Sequence, residues 1–405
     1  MENEQAGGWI DAKAAAERLG VKPATLYAYV SRGVLRRRRA ADGRRSLFDA
    51  AQVEELARRG KPRRPPGPGE LAIESAITAL GADRPYYRGR DVLAMAESGT
   101  YEDVAAWLWT GGDGGDGDAG PWRAAADGVA AAVAAQSGLP AGLLPLDRLQ
   151  LIVAALAATD PLRHHLDPEG VTATGRALVS GLVEALPAAA APAGGGIAER
   201  LWSRLCPRPP EPGLLRAFEA AMILLADHEL AASTVAARVA ASVRADPYAV
   251  VASGLGVLGG PLHGGASYGA ERLIAEVGDP ASASRVVGER LRAGERVPGF
   301  GHGVYKSGDA RFAVLMGLVR SAAPGHERVA AADAVLDEAA RRRLPAPNVD
   351  FALAALGAVA GLVPGAGEAV FAVARTAGWL AHALEEYGRR GPLRPRAVYV
   401  GPPPP

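Results

Sequence analysis

A single cysteine, Cys206, in 405 residues excludes an internal disulfide framework and leaves no thiolate cluster for zinc. Long apolar runs are also missing. The two longest, about Phe351 to Val363 and Tyr248 to Leu262, stop short of the roughly 18 residues a membrane span needs. The opening MENEQAGGWID is acidic and polar, the wrong start for a secretory signal. These absences lead us to expect a cytoplasmic protein with no membrane partner. Aromatic residues reach only 5%, and β-branched residues are sparse in stretches such as VAARVAASVRA. Such alanine-rich segments favour helix, so the body is expected to be α-helical.

What is present is ordinary for a globular chain: 49% hydrophobic and 22% charged residues. The length predicts two or three domains. A net charge of +1 hides an asymmetry, because residues 1–64 hold 15 Lys/Arg against 8 Asp/Glu and the remainder therefore carries −6. A basic head on an acidic body points to two jobs, one of them with a polyanion.

In the head, Asp11 is placed to cap a helix AKAAAERL that Gly20 ends, and Pro23 opens a second helix that Gly33 stops. Arg36 to Arg39, a turn at residues 41–43 and residues 44–48 read as a hairpin or wing. Asp49 then caps a third helix, with Gln52 placed as in a capping box. The segment GKPRRPPGPGE (60–70) is a semi-rigid linker. In the body, residues 111–120 and 187–196 read as loops, and the GPPPP tail as extended. Helical patterns run over 213–227, 230–245, 266–277, 333–343 and 368–387, and strand-like alternation is almost absent.

Of the seven histidines, His164, His165, His326 and His382 sit in helix-like or charged contexts and read as structural. His228 lies in ADHELAAST, His263 in GGPLHGGAS and His302 in PGFGHGVYKSGDAR. The glycines around the last two let backbone approach a ligand closely. Neither of these two has the His-Glu spacing of a helical zinc site, and no metal is expected.

With YYRGRDVLAMAESGTYEDVAAWLWTG, PNVDFALAAL, ARTAGWLAH and RPRAVYVG, these segments follow one another as in the citrate synthase family, which residues 71 to 400 resemble. The resemblance implies an all-α fold, with a large domain (71–262 and 363–405) and a small one (263–362) that closes over substrate. It implies condensation of acetyl-CoA or propionyl-CoA with oxaloacetate, giving citrate or 2-methylcitrate and CoA, as in the tricarboxylic acid cycle. No cofactor would be permanently bound, because acetyl-CoA is a co-substrate. Asp350 would be the base, His263 would face the thioester oxygen and His302 would polarise the oxaloacetate carbonyl. His228, Arg311, Arg375 and Arg394 would bind oxaloacetate, Arg394 from the neighbouring subunit of a homodimer with shared active sites. Val297, Gly299, Gly301 and Lys306 would hold CoA. The chain departs from the family pattern at Ala231, where many bacterial relatives have asparagine, at Gly303, where arginine is common, and at Ala310, in place of a proline. The last two are expected to loosen the loop that carries His302 and Arg311.

The head (1–60, with a linker over 61–70) resembles the helix-turn-helix of the MerR and excisionase type. That implies DNA contacts from Thr25, Tyr27, Arg36, Arg37 and Arg38. An alternative is a transcriptional regulator that uses the synthase-like body as a metabolite sensor.

Overall fold

The computed structural model describes residues 8–21, 23–31, 34–40, 45–58, 72–112, 121–191, 193–306, 308–397 and 401. The linker 60–70, the turn 41–43, Gly33, most of the 111–120 loop and all but one residue of the GPPPP tail lie outside them. Two compact units emerge, residues 1–74 and 75–405.

The first unit runs β1 (Trp9–Asp11), α1 (Ala12–Leu19), α2 (Pro23–Ser31), β2 (Arg37–Arg39), β3 (Ser46–Asp49) and α3 (Ala50–Arg58). Asp11 caps α1 by accepting from Ala14 N, and Gly20 ends it in the left-handed conformation. The strands form an antiparallel sheet in the order β1-β3-β2. Strand β1 was not legible in the sequence, because three residues carry no alternation to read. Asp49 caps α3 through Ala51 N and Gln52 N. Gln52 does not return the bond as a capping box would. Its Oε1 accepts from Arg36 N at 2.7 Å and so ties the wing to α3. Ala15, Leu19, Leu26, Leu35, Phe48 and Val53 make a small core.

The second unit opens with a short antiparallel sheet, β4 (Thr78–Leu80), β5 (Pro85–Tyr87) and β6 (Arg90–Asp91). Helices follow: α4 (Val92–Ser98), α5 (Tyr101–Thr110), α6 (Ala126–Ala135), α7 (Pro145–Thr159), α8 (Pro168–Glu184), α9 (Ile197–Leu205), α10 (Pro212–Leu225), α11 (Ala232–Ser242) and α12 (Pro247–Leu258). Then come α13 (Gly265–Glu276), a 3-10 turn (Pro280–Ser282), α14 (Ala283–Arg292), α15 (Ala310–Ala322), α16 (Glu327–Arg341), α17 (Val349–Ala360) and α18 (Ala366–Tyr387). The fold is thus mostly helical; in this unit the sequence marked neither the small sheet nor, individually, the helices α6 to α9, α14 and α15. Helix α16 begins six residues before the expected 333, because His326 caps it by accepting from Arg328 N.

Helix α18 is the axle of the body. All its residues except Leu384 and Glu385 are buried, including Glu368, Arg375, His382 and Glu386. Small residues make this burial feasible. At Gly378 an added Cβ would lie 2.3 Å from Asp227 Oδ1 and 2.5 Å from Ala226 O, so only glycine lets α18 approach the end of α10 this closely. The apolar runs 248–262 and 351–363 are the buried helices α12 and α17. Among the described residues, no helix is long and apolar enough to cross a membrane.

Candidate active site

Four stretches of chain converge on α18: the turn after α10, the turn before α13, the loop before α15 and the start of α17. The first carries His228. Asp227 beside it is fully buried, and its Oδ2 accepts from Thr78 Oγ1 at 2.6 Å and from Glu229 N at 3.0 Å. Glu229 has φ +54°, a conformation costly for a side-chain residue, and the Asp227 bond helps to hold it. His382 of α18 lies 3.4 Å from Asp227 and takes a 2.6 Å bond from Arg238 Nη1 on its Nδ1. Arginine can only donate, so the His382 proton sits on Nε2, facing Asp227. Burial raises the Asp227 carboxyl, but His382, Arg375 and Thr78 together hold it below its ordinary value. His382 is therefore structural, as expected, yet it belongs to the support of His228.

His228 Nε2 and the Tyr305 hydroxyl are 3.1 Å apart, and the Tyr305 ring stacks on His302 with centroids 4.7 Å apart. His302 Nδ1 accepts from Val304 N at 2.9 Å and Tyr305 N at 3.2 Å. Arg311 Nη2, which can only donate, lies 3.4 Å from Nε2, but the two shorter backbone bonds on Nδ1 outweigh that single long contact and favour the tautomer with its proton on Nε2.

Arg311, at the start of α15, is 3% exposed. Its Nε and Nη2 both bond Asp309 at 2.9 Å, and this pair raises the guanidinium pKa although burial lowers it. One edge of the guanidinium is thus occupied from within the chain, so a ligand would meet Nη1. Asp309 also accepts from Val349 N and so joins this loop to the start of α17. Ala310, expected to loosen the loop, makes a bond of its own. It uses the N–H that a proline would lack to bond Asp83 O at 3.0 Å.

Arg375, on α18, is 1% exposed and donates from Nε to Leu225 O at 2.7 Å. Its Nη1 is buried with no hydrogen-bond partner among the described residues. Burial lowers its pKa, against the pull of Asp227. A buried guanidinium in this state lacks an anion.

His263 precedes α13, with its Nε2 2.7 Å from Ser233 Oγ and its ring edge-on to Phe371 at 5.9 Å. Trp379 Nε1 donates to the same Ser233 oxygen. Burial, and then the charge of Arg375, lower the imidazole pKa to about 4, so His263 is neutral at physiological pH. One turn further on, Ser267 donates from its hydroxyl to Asp350 Oδ1. Asp350 lies in the first turn of α17, behind the Asn348 cap. Burial raises its pKa, and Ser267, Arg311 and Arg375 only partly offset this.

His228, His302, Asp350, Arg311, Arg375 and His263 are therefore linked through shared partners. Arg394 is not among them, being exposed beyond α18. Of the residues expected to hold CoA, Gly299, Gly301 and Lys306 each make a hydrogen bond within the chain. Gly301 N bonds Ala346 O, Gly299 O accepts from Asn348 N, and Asn348 Nδ2 donates to Gly301 O, which locks the His302 loop to the Asp350 loop. Gly299 has φ +83°, and a Cβ there would lie 2.8 Å from Phe351 Cβ, so this join requires glycine. Val297 is buried, and Lys306 Nζ donates to His302 O at 3.2 Å. Among the described residues no group of three His, Cys, Asp or Glu side chains could hold a metal.

Sequence reasoning missed Ser267, Tyr305, Asp309 and Ser233. Ser267 follows His263 by one helical turn, a spacing that brings the two to one face and could have flagged it.

In the head, Tyr27 of α2 is 41% exposed and packs edge-on against Phe48. Arg37 lies over the Tyr27 ring at 5.3 Å, while Arg38, one residue on, lies over Trp9 at 4.7 Å. Register explains the split: Arg37 pairs with Phe48 and shares its face, and Arg38 points to the other side. Thr25 is half-buried on α2, and Arg36 is exposed.

A helical body whose buried arginines lie beside three histidines, one of them held neutral, and one raised carboxylate has the chemistry of an enzyme site. Residues 68–396 match the model of the citrate synthase C-terminal domain, and residues 9–61 that of a helix-turn-helix domain. Citrate synthase 2 of Bacillus subtilis is 30% identical over 363 residues, covering 82% of this chain and 95% of that protein. The 2-methylcitrate synthase of Mycobacterium tuberculosis H37Rv is 30% identical over 339 residues, covering 78% and 84%. The crystal structure of citrate synthase from Thermotoga maritima matches with a TM-score of 0.68 at 27% identity, over 82% of this chain and 94% of that one. A ternary complex of carboxymethyl coenzyme A and oxaloacetate with the Thermoplasma acidophilum citrate synthase matches with a TM-score of 0.70 at 25% identity, over 83% and 95%. The chain belongs to the citrate synthase family, and it is an acyltransferase of that type.

Proposed function

We propose that the body condenses an acyl-CoA with oxaloacetate at the cluster around α18. One observation carries the reading. Two buried guanidinium groups flank the histidines, and only Arg311 has a carboxylate of its own, while Arg375 Nη1 is unpartnered. A dicarboxylate substrate supplies what is missing: one carboxylate for Arg375, the other toward Arg311 Nη1 and His228.

Asp350, with its basicity raised by burial, removes a proton from the acyl α-carbon. Trp379 donates to Ser233 Oγ, and the serine hydrogen is free to turn to His263 Nε2; in that tautomer the imidazole proton lies on Nδ1, toward the thioester oxygen. A neutral imidazole is the matched donor for an enol or enolate, because its acidity is close to that of the forming group. The α-carbon then attacks the oxaloacetate carbonyl, and His302 Nε2–H polarises that oxygen and protonates the alkoxide. Water hydrolyses the resulting citryl thioester to citrate and CoA. Asp309, Asn348 and the glycine joins keep Arg311, His302 and Asp350 moving as one body when residues 263–362 close over 71–262 and 363–405 and exclude water.

A homodimer fits the surface. Leu262, next to His263, is 92% exposed, and Val257 of α12 and Leu151 of α7 are also exposed. Arg394 in this reading serves the site of a second copy. Acetyl-CoA and propionyl-CoA differ by one methylene, worth only about 1–3 kcal/mol of discrimination, so both are taken as substrates. The test is release of free thiol from acetyl-CoA and propionyl-CoA against a panel of 2-oxo acids. Release that requires oxaloacetate supports the reading, and no release from any pair returns the body to the sensor alternative.

The head is read as a duplex-DNA module. Arg37 and Arg39 share the sheet face beside Tyr27 and α2, whereas Arg38 lies on the opposite face against Trp9. Among the wing arginines this favours Arg37 and Arg39 for phosphate contact, with α2 carrying Thr25 and Tyr27 to the groove.

A further inference from the structure

We propose that Ser267 is a positioning residue for the base: its hydroxyl holds one oxygen of Asp350 and so aims the other at the substrate carbon. The proposal deepens the reading of Asp350 as the base and rests on it. Ser267 is 1% exposed and donates to Asp350 Oδ1, the only side-chain hydrogen bond to that carboxylate among the described residues. Asp350 Oδ2 is thereby the oxygen left for proton abstraction.

The serine is held as firmly as the carboxylate. It stands in the first turn of α13, with its backbone N–H on Gly264 O, and a Cβ at Gly367 of α18 would lie 3.7 Å from Ser267 Cβ. Asp350 is fixed by its own N–H on Asn348 Oδ1. Two helix starts thus face each other, one bearing His263 and Ser267, the other Asp350. The serine links the group that takes the proton to the helix whose histidine receives the enolate charge. Proton abstraction from carbon is very sensitive to aim, and a misplacement of about 1 Å can cost about 100-fold.

The hydroxyl has a second effect, because a donor to a carboxylate stabilises its charged form. The other charged groups facing Asp350 are Arg311 and Arg375, which also favour the charge, and Asp309, which opposes it. His263, four residues before Ser267, is neutral. Ser267 is the facing group that can be altered without touching a charge or a substrate ligand.

The experiment uses the full chain with acetyl-CoA and oxaloacetate, measuring kcat, both KM values and the pH profile of kcat/KM. In Ser267→Ala, kcat should fall about tenfold or more while the oxaloacetate KM stays within about twofold. The acidic limb of kcat/KM should move up by about one unit, as expected for loss of a hydrogen bond to a charged group. Ser267→Thr, which keeps the hydroxyl, should recover most of the rate and the original limb. A role in packing alone would give a lowered melting temperature with an unmoved limb, and that result overturns the proposal. So does a Ser267→Ala enzyme of normal kcat. Asp350→Ala, measured in parallel, separates the two ideas. If it retains turnover, the base assignment itself fails; if only Ser267→Ala is silent, the base stands and the serine does not position it.

Discussion

Arginine does opposite work in the two units of this chain. In the head, Arg36 to Arg39 are exposed, and two of them rest on aromatic rings. In the body, Arg238, Arg311 and Arg375 are at most 3% exposed, and the first two are paired with carboxylates. An exposed guanidinium on a ring stays hydrated and costs little to hold, which suits a polyanion met through many weak contacts. A buried one is tolerated only when its charge is answered, which suits one small anion held at fixed geometry. Arg375, the buried member without an anion, is where the body's substrate should register most strongly. The same residue type therefore predicts tight, salt-insensitive binding in one unit and weak, salt-sensitive binding in the other.

The largest expected effect lies among the groups that the buried arginines face. Asp350→Asn keeps the shape of the N-terminal turn of α17 but removes the proposed base. Turnover should fall by at least about 100-fold with oxaloacetate binding retained, as measured by thiol release and by calorimetric titration. Near-normal release would make the arginine cluster a binding site without chemistry, and the body would become more like a sensor. Arg375→Ala should come next, raising the oxaloacetate KM by about 30-fold or more, because a buried charged hydrogen bond to ligand is worth about 2–5 kcal/mol. Arg375→Lys should not rescue it, since lysine cannot both reach Leu225 O and present a second donor to the ligand. An unchanged KM in either variant would place the carboxylate elsewhere.

How much of this was legible beforehand follows from what each feature depends on. The helical body, the head and its caps were readable, because alanine content, Asp11, Gly20 and Asp49 act over three or four residues. The candidate site residues could be named because they sit in recognisable segments. Their support could not. Asp227 meets His382 across 155 positions, and Ser267 meets Asp350 across 83. Nothing local announces such pairs. Asp309, only two residues from Arg311, takes one edge of its guanidinium, a side-chain orientation that the order of residues does not reveal. The capping box at Asp49 failed for a related reason: Gln52 found a partner in Arg36, outside its own helix.

A third prediction sharpens the contrast through pH. His263 is neutral because burial and Arg375 lower its pKa from 6.5 to about 4. Between those values the unfolded chain binds more protons than the folded one. Stability from this group is therefore complete above pH 6.5 and is lost as pH falls through 4, by up to about 3 kcal/mol. Urea unfolding of the wild type and of His263→Gln at pH 7.5 and pH 4.5 measures it: the wild type should lose more stability on acidification. Equal losses would mean that the imidazole is not held neutral, and the enol-stabilising donor would have to be sought elsewhere.

The smallest expected effect is in the head, and it decides whether exposure on a ring means what the comparison supposes. Each phosphate neutralised adds about −0.9 to the log–log salt slope of duplex binding. Arg37 stands on the face shared with α2, so Arg37→Ala in the full chain should weaken binding by a few fold and make the slope shallower by about one contact. Arg38 is on the opposite face over Trp9, with an energy of about 0.5–1 kcal/mol typical of an exposed cation–π contact. Arg38→Ala should therefore leave the slope nearly unchanged and lower the stability of the small head slightly. Fluorescence anisotropy with a labelled duplex over a salt series, beginning near 50 mM, reads both. The two substitutions remove the same charge one residue apart, so net charge alone predicts identical results. A slope that falls equally in both would mean that the wing acts as an unstructured cation rather than through its register. If intact protein does not bind duplex even at the lowest salt, the basic face of the head serves something other than DNA.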